Sequence, residues 1–110
     1  MSDFADVRST LERQLKDVLS KHSRISAHLR NQDREIPADW SEMAQFVEND
    51  EVLEALEGRT RDRVDHLVRA IRRIDEGTYD DCASCGEEIH SERLELLPTT
   101  ILCARCAGAG

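Results

Sequence analysis

Four cysteines near one end of the sequence are the side chains best suited to chemistry. They form two Cys-x-x-Cys pairs, Cys82 with Cys85 and Cys103 with Cys106, separated by 17 residues. This spacing is typical of a four-cysteine zinc site, because each turn directs two sulfurs the same way and Zn²⁺ accepts four thiolates in a tetrahedron. Gly86 follows the second cysteine and suits the positive φ of such a turn. The sequence therefore predicts one closed, structural zinc site per chain that uses every cysteine.

Other uses of these cysteines fit the sequence less well. A disulfide framework needs an oxidising compartment, and the first residues contain no apolar run of the signal-peptide kind, so we expect reduced cysteines and a cytoplasmic protein. Catalytic zinc normally keeps an open position and uses His or carboxylate ligands. A thioredoxin-type Cys-x-x-Cys belongs to a βαβ pattern, which this sequence does not show. An additional redox-sensing role of the zinc thiolates stays open.

The segment between the cysteine pairs is too small to fold without a metal. Binding of zinc is therefore expected to supply much of the folding free energy of this end. We predict that its apolar residues form a small core: Ile89, Leu94, Leu96, Leu97, Pro98, Ile101 and Leu102.

Two long helices are predicted to precede the cysteines, from about Asp3 to Arg34 and from about Asp39 to Glu76. Each carries apolar residues at three- and four-residue steps, which is the mean 3.5-residue repeat of a coiled coil. The predicted seams are Phe4, Val7, Leu11, Leu15, Val18, His22, Ile25 and Leu29 in the first helix, and Leu53, Leu56, Thr60, Val64, Leu67, Ile71 and Ile74 in the second.

Pro37 interrupts the helical pattern between the two segments, and Gly77 provides a stop after the second. The fold class predicted is all-α, a long antiparallel helical hairpin over residues 1–76 with a tip loop at about 31–44. A four-cysteine zinc-finger module follows over residues 77–110. The first helix would be roughly 48 Å long, so we expect a rod with zinc at its base and the loop at its far end.

The second helix is less regular near its start. The stretch from Met43 to Glu51 fits the seam poorly, so we expect looser packing there. Asn49 and Asp50 are expected to disturb the helix or to begin a new one.

Composition limits the functions open to such a chain. Aromatic residues make up 4% and charged residues 35% of the 110 residues, which suits narrow helix seams better than a wide core. A net charge of −8 disfavours binding to nucleic-acid phosphates. No apolar run is long enough to span a bilayer. Because each chain contains both helices of the seam, we expect a monomer.

A longer pattern surrounds the cysteines, and it resembles the zinc-finger signature of the DksA/TraR family over residues 74–106. The pattern reads Gly-Thr-Tyr-x-x-Cys-x-x-Cys-Gly-x-x-Ile-x-x-x-Arg-Leu-x-x-x-Pro-x-Thr-x-x-Cys-x-x-Cys. The resemblance implies a bacterial regulator that binds RNA polymerase and inserts a coiled-coil hairpin into its secondary channel. It implies neither an enzyme nor a sequence-specific DNA-binding protein.

The resemblance also implies an acidic motif, Asp-x-x-Asp-x-Ala, at the tip of the hairpin. This chain has Asp39, Glu42 and Ala44 in the matching positions, 43 residues before Cys82. The second acid is Glu, which carries the same charge on a side chain that is one methylene longer. An alternative interpretation needs no partner, because Asp39 as N-cap with Glu42 three residues later forms a capping box. Trp40 is expected to be exposed beside these acids.

Binding of the alarmone ppGpp through basic residues near the base of the coiled coil is a further implication of the resemblance. The positions that look aligned are Arg59, His66 and Ala107, of which only Arg59 reliably keeps a positive charge. Phosphates need fixed cationic donors, so we expect ppGpp dependence to be weak or absent.

Two other functions remain as alternatives. One is a nucleic-acid-binding zinc-finger protein, although acidic residues outnumber Arg93 and Arg105 around the cysteines. The other is a coiled-coil scaffold with zinc, whose seam would pair between chains rather than within one chain.

Overall fold

The structure, a computed structural model, describes residues 4–108 of the chain. Over this range the all-α class with a cysteine-rich C-terminal module is confirmed, with one isolated bridge between Asp81 and Glu88 and no strand. The predicted helix start at Asp3 lies outside the described residues. The helices are α1 (Ala5–Lys21), α2 (Ser23–Asn31), α3 (Trp40–Glu48), α4 (Asp50–Ala55), α5 (Gly58–Glu76), α6 (Ser91–Leu96) and α7 (Ala104–Gly108).

Helices α1 and α5 pair in an antiparallel arrangement, and α2 and α4 continue it. Polar contacts between the two halves show the direction, because later residues of the first half meet earlier residues of the second. These contacts are Arg8 with Asp75 at 2.7 Å, Gln14 with Arg63 at 3.2 Å, Arg24 with Glu57 at 3.2 Å and His28 with Glu51 at 3.5 Å.

The centre of the predicted seam forms the core. The buried seam residues are Leu11, Leu15, Ile25, Leu29, Leu56, Val64, Leu67 and Ile71. Leu19, Val68 and Ala70 are also buried, although the heptad pattern left them out. The buried face of α1 and of α5 is thus wider than a two-helix seam requires. This indicates that each of these two helices packs against more than one other helix.

The disturbance predicted at Asn49 and Asp50 is confirmed, but the prediction that the chain is otherwise helical through each segment is wrong, since it leaves helical geometry at three places. His22 (φ −82°, ψ 118°) separates α1 from α2, and Asn49 (φ −64°, ψ 133°) separates α3 from α4. Leu56 and Glu57 are extended before Gly58, whose φ of +57° is left-handed and favours glycine. Asn49 ends one helix and caps the next, because its side chain accepts the Glu51 N–H at 2.9 Å.

Helix α3 folds back along α1 and α5 instead of extending the rod. The Arg8 guanidinium lies 5.8 Å from the centroid of the Trp40 ring, and Glu48 forms an ion pair with Arg72. The described residues measure 46 × 30 × 20 Å, which is wider than a simple two-helix rod. The prediction that Asp39 and its neighbours lie at the end far from the cysteines is therefore wrong.

The same packing overturns two expectations about the stretch around α3. Trp40 is half-buried against the core rather than exposed. Met43, Phe46 and Val47 are 2%, 6% and 4% exposed, so the packing there is not loose. Their apolar side chains do not follow the hairpin seam because they face the sides of other helices.

The base of the hairpin joins the cysteine module through an aromatic contact and a helix cap. Gly77 ends α5 in the left-handed conformation (φ 78°), and the Thr78 N–H bonds to the Arg73 carbonyl at 2.8 Å. Tyr79 is buried and packs edge-to-face on Phe4, with ring centroids 4.8 Å apart. None of the helices in residues 4–108 is both long and apolar enough to cross a membrane.

Candidate metal centre and acidic segment

The four cysteine sulfurs converge at the base of the molecule. All the sulfur atoms of Cys82, Cys85, Cys103 and Cys106 lie within 4.8 Å of one another, and those of Cys85 and Cys103 are 3.8 Å apart. Tetrahedral zinc with Zn–S bonds of about 2.3 Å needs sulfurs about 3.8 Å apart. The thiols are free and much too distant for disulfide bonds. This donor set therefore fits zinc.

Backbone hydrogen bonds hold the first cysteine pair in place. The Cys82 N–H donates to the Glu87 carbonyl at 2.8 Å, and the Gly86 N–H donates back to the Cys82 carbonyl at 2.9 Å. Gly86 has a φ of +77°, as the sequence predicted, so a side chain there would strain the turn. The Ala83 N–H donates to the Ile101 carbonyl at 2.8 Å and so connects this turn to the segment before the second pair.

Backbone N–H groups also point at the sulfurs. Those of Cys103, Glu87 and Cys106 donate to the sulfurs of Cys82, Cys85 and Cys103 at 3.3, 3.4 and 3.5 Å. The bond from Cys103 is the main reason that the pKa of Cys82 is lowered, to about 6. Such bonds favour thiolates, the form in which cysteine binds a metal.

Close packing of the sulfurs has the opposite effect on the last cysteine. Hydrogen bonds with the sulfurs of Cys103 and Cys85 raise the pKa of Cys106 to about 12. A divalent cation among four sulfurs reverses this preference, because its charge favours the thiolate at every ligand.

The small core of the module is only partly the predicted one. Ile89 and Leu94 are buried at 1% and 5% exposure, but Leu96 and Leu97 are 81% and 48% exposed. The prediction that these two leucines belong to the core is wrong, because Leu96 ends α6 and Leu97 follows it on the solvent side of the module. Tyr79 takes their place as the large buried side chain.

Sequence reasoning did not identify Tyr79 as a structural residue. Its hydroxyl donates to the Pro98 carbonyl at 2.7 Å, which connects the end of α5 to the loop after α6. A signal was present, since Tyr79 is the single tyrosine and lies next to a helix stop in a chain poor in aromatics.

The acidic segment lies at the start of α3. Asp39 is the N-cap residue, and its carboxylate accepts the Glu42 N–H at 3.3 Å. Both acidic side chains are exposed, whereas Ala44 is half-buried. Asp39 therefore makes the capping bond of the capping-box interpretation, and both carboxylates stay available to a partner. Helix α3 places them on the side of the molecule near Arg8.

The residues considered for ppGpp do not form a compact cationic site in this structure. Arg59 and His66 are exposed on α5, and Ala107 is exposed on α7. Arg59 lies in the first turn of α5, and the cysteines follow the end of that 19-residue helix.

Comparison with known proteins agrees with this architecture. The family model of the prokaryotic dksA/traR C4-type zinc finger matches residues 77–109. The RNA polymerase-binding transcription factor DksA of Salmonella typhimurium is 30% identical over 110 residues, covering 96% of this chain and 68% of that protein. A protein of uncharacterised function from Aquifex aeolicus is 37% identical over 71 residues. The solution structure of a DnaK suppressor protein from Agrobacterium tumefaciens C58 has a TM-score of 0.62 at 28% identity, covering all of this chain and 96% of that chain.

The chain belongs to the DksA/TraR family. It contains the C4-type zinc-finger segment of the family, and the solved structure named above shares its helical fold. The resemblance stated from the sequence is thus confirmed. The chain spans 49% of the length of the Aquifex protein and 68% of the Salmonella protein.

Proposed function

We propose that this chain binds bacterial RNA polymerase and regulates transcription initiation, without catalysing a reaction or reading a DNA sequence. The observation that carries the proposal is the alignment of 96% of the chain with a polymerase-binding transcription factor. The four-sulfur cluster and the antiparallel α1–α5 pair support it, because they are the parts expected of such a regulator.

The metal has a structural role in this proposal. One zinc ion is bound by Cys82, Cys85, Cys103 and Cys106, which together leave no coordination position for a substrate. The ion holds two turns together in a module whose buried apolar side chains are few, so its binding free energy is largely folding free energy. Residues 77–110 then act as the base from which the helices project.

Asp39 and Glu42 are proposed to be the effector residues, acting inside the secondary channel near the polymerase active site. Both carboxylates are exposed, and the N-cap bond of Asp39 fixes where the first turn of α3 begins. Ala44 is half-buried on the same helix. With a net charge of −8, such a chain meets cationic surfaces of a protein more readily than nucleic-acid phosphates.

Dependence on ppGpp is proposed to be weak or absent. Arg59 is the one reliable cation of the three positions considered, and Ala107 has no donor on its side chain. A single exposed arginine does not form the converging donor set that a pyrophosphate needs.

Co-purification with core RNA polymerase tests the proposal directly. We expect tagged polymerase to retain the zinc-loaded protein, and a second protein that occupies the secondary channel to displace it. Retention that such a competitor does not reduce would place the binding site elsewhere. The absence of retention at moderate salt would reject polymerase as the partner.

Metal analysis tests the structural part independently. Freshly reduced protein is expected to contain one equivalent of zinc, and Cys103→Ser is expected to release it while most of the helical far-UV signal persists. Ser84→Ala is the matched control, because Ser84 lies in the first cysteine turn and is not proposed as a ligand. A content well below one equivalent in the wild type would contradict the assignment.

A further inference from the structure

Residues 49–58 connect α3 to α5 through two breaks, of which the sequence predicts only the one at Asn49. The apolar seam read from the sequence runs without interruption through Leu53, Leu56, Thr60 and Val64, as a single straight helix requires. The structure breaks the helix at Asn49, before this seam begins, and again within the seam at Leu56 and Glu57. The stretch contains no proline, so backbone covalent structure does not impose either break.

The break before α5 faces the break between α1 and α2. Arg24, next to the His22 break, pairs with Glu57 at 3.2 Å. The two halves of the hairpin therefore bend at the same level. Helix α3, which lies beyond these breaks in the chain, rests on the α1–α5 pair.

Apolar burial of Met43, Phe46 and Val47 holds α3 in this position, and one polar contact at each end of the helix adds to it. At its start, Arg8 lies over the Trp40 ring while also bonding to Asp75 at 2.7 Å. At its end, Glu48 pairs with Arg72 on α5. Contacts of this kind at a partly exposed surface are individually weak. The apolar burial therefore contributes most, and α3 is released most readily when another surface covers these side chains.

We propose that residues 49–58 are a conformational switch between this folded-back form and an extended form in which residues 39–76 are one helix. That helix alone would measure about 57 Å, before the cysteine module is added, whereas the longest dimension of all described residues in the folded-back form is 46 Å. The inference rests on the proposed function in one respect: extension would carry Asp39 and Glu42 to the far end of the hairpin, where a narrow channel admits them.

Substitution of Gly58 is one way to shift the equilibrium between the two forms. The φ of +57° at Gly58 is strained for any residue with a Cβ, although no atom lies within 4 Å of the position that the Cβ would occupy. In the extended helix the same residue has ordinary helical geometry, where alanine is preferred to glycine. Gly58→Ala therefore disfavours the folded-back form and favours the extended one, by a combined factor on the order of 30 in their ratio.

Substitution of Asp50 by proline shifts the same equilibrium toward the folded-back form. Asp50 is the first residue of α4, a position where proline is well tolerated, and Asn49 before it already has the extended ψ of 133° that a following proline requires. In a continuous helix a proline at this position removes a hydrogen bond and clashes with the preceding turn. Asp50→Pro is therefore compatible with the folded-back form and excludes the extended form by roughly a hundredfold or more.

Small-angle X-ray scattering and Trp40 fluorescence on the zinc-loaded protein test the proposal. Trp40 is the single tryptophan, so its emission reports directly on the Arg8 contact. We expect Gly58→Ala to increase the longest dimension beyond the roughly 57 Å of the extended helix alone, to shift the Trp40 emission to the red and to increase its quenching by acrylamide. We expect Asp50→Pro to keep the compact profile and to prevent elongation when it is combined with Gly58→Ala.

Two control variants separate this switch from general effects of substitution. Asp50→Asn removes the same charge without a proline and should not block elongation. Ser91→Pro places proline at the first residue of α6, where the preceding His90 is also extended (ψ 142°), and should leave the behaviour of Gly58→Ala unchanged. If Gly58→Ala lowers the melting temperature but alters neither the dimensions nor the Trp40 emission, the proposal is overturned. Elongation of the double variant Gly58→Ala with Asp50→Pro would overturn it as well.

Transcription assays distinguish failure of the switch from failure of the proposed function. If both proposals hold, Asp50→Pro reduces the transcriptional effect severalfold, and Asp50→Asn does not. If Gly58→Ala elongates in scattering but the wild-type protein has no effect on transcription, the switch is supported and the proposed function is rejected. A full transcriptional effect from Asp50→Pro that stays compact would show that extension is not required and would overturn this inference while sustaining the function.

Discussion

Neutralising both acids at the start of α3 distinguishes an effector role from a helix cap. In the wild type, Asp39 accepts a hydrogen bond from the backbone N–H of Glu42 at 3.3 Å. In the double variant Asp39→Asn with Glu42→Gln, the asparagine can still accept this bond, because Asn and Asp are equally good N-cap residues. The expected loss is the interaction of two exposed charges with the helix dipole, about 0.3–1 kcal/mol each. For a domain of this size that corresponds to a decrease of a few degrees in melting temperature.

The assay measures the lifetime of promoter complexes with the double variant and with a matched control. Glu54→Gln with Asp62→Asn removes the same charge from two exposed side chains away from the start of α3. We expect the first pair of changes to reduce the transcriptional effect at least severalfold while binding to polymerase persists. The control pair should retain the effect. Wild-type activity in the Asp39 and Glu42 variant would leave these residues with the capping role alone.

Three further predictions concern stability and assembly. Tyr79→Phe should destabilise the protein by about 0.5–1.5 kcal/mol, because it removes the part-buried hydrogen bond to the Pro98 carbonyl. Thermal unfolding monitored by circular dichroism measures this, and an unchanged melting temperature would contradict it. Arg8 lowers the pKa of Asp75 below its ordinary value of 3.8, mainly by a hydrogen bond. At pH values above 3.8 this exposed pair therefore adds up to about 1 kcal/mol to the free energy of unfolding. This contribution is lost as the pH falls through the lower pKa that Asp75 has in the folded state. The difference in melting temperature between wild type and Asp75→Asn should shrink in acid, and a constant difference would argue against the pair. Sedimentation equilibrium should show a monomer, and a tight dimer would favour the scaffold alternative.

The cysteine cluster was predictable from the sequence because its geometry is local. Two Cys-x-x-Cys turns each set the relative positions of two sulfurs, and one metal connects the turns whatever the rest of the chain does. Gly77 and Gly86 are similar cases, since a helix end or a turn demands a positive φ at one residue. The exposure of Leu96 and Leu97 was not predictable in this way. Apolar character alone does not tell on which side of a six-residue helix, or of the residue that follows it, a side chain will lie.

The antiparallel pairing of α1 and α5 was predictable because a heptad repeat specifies which faces meet. The repeat does not specify how far each helix continues. Val52 and Leu56 are buried in the bent structure at 1% exposure each, and they lie close enough to the seam to be buried in a straight helix as well. Their burial therefore stabilises either form to a similar extent and does not select between them.

The selection between a bent and a straight chain depends on contacts between residues that are distant in the sequence. Trp40 meets Arg8, and Glu48 meets Arg72, and no periodicity in the sequence signals either contact. The apolar residues of α3 contribute most to the choice, since Met43, Phe46 and Val47 are buried only because the chain folds back. An extended form exposes part of this surface, unless a partner covers it. The free energy difference between the two forms is thus the apolar burial of α3 set against the backbone strain at Gly58 and the lost helix continuity. A protein surface that accepts the apolar face of α3 would favour extension, and this explains why binding and extension should occur together.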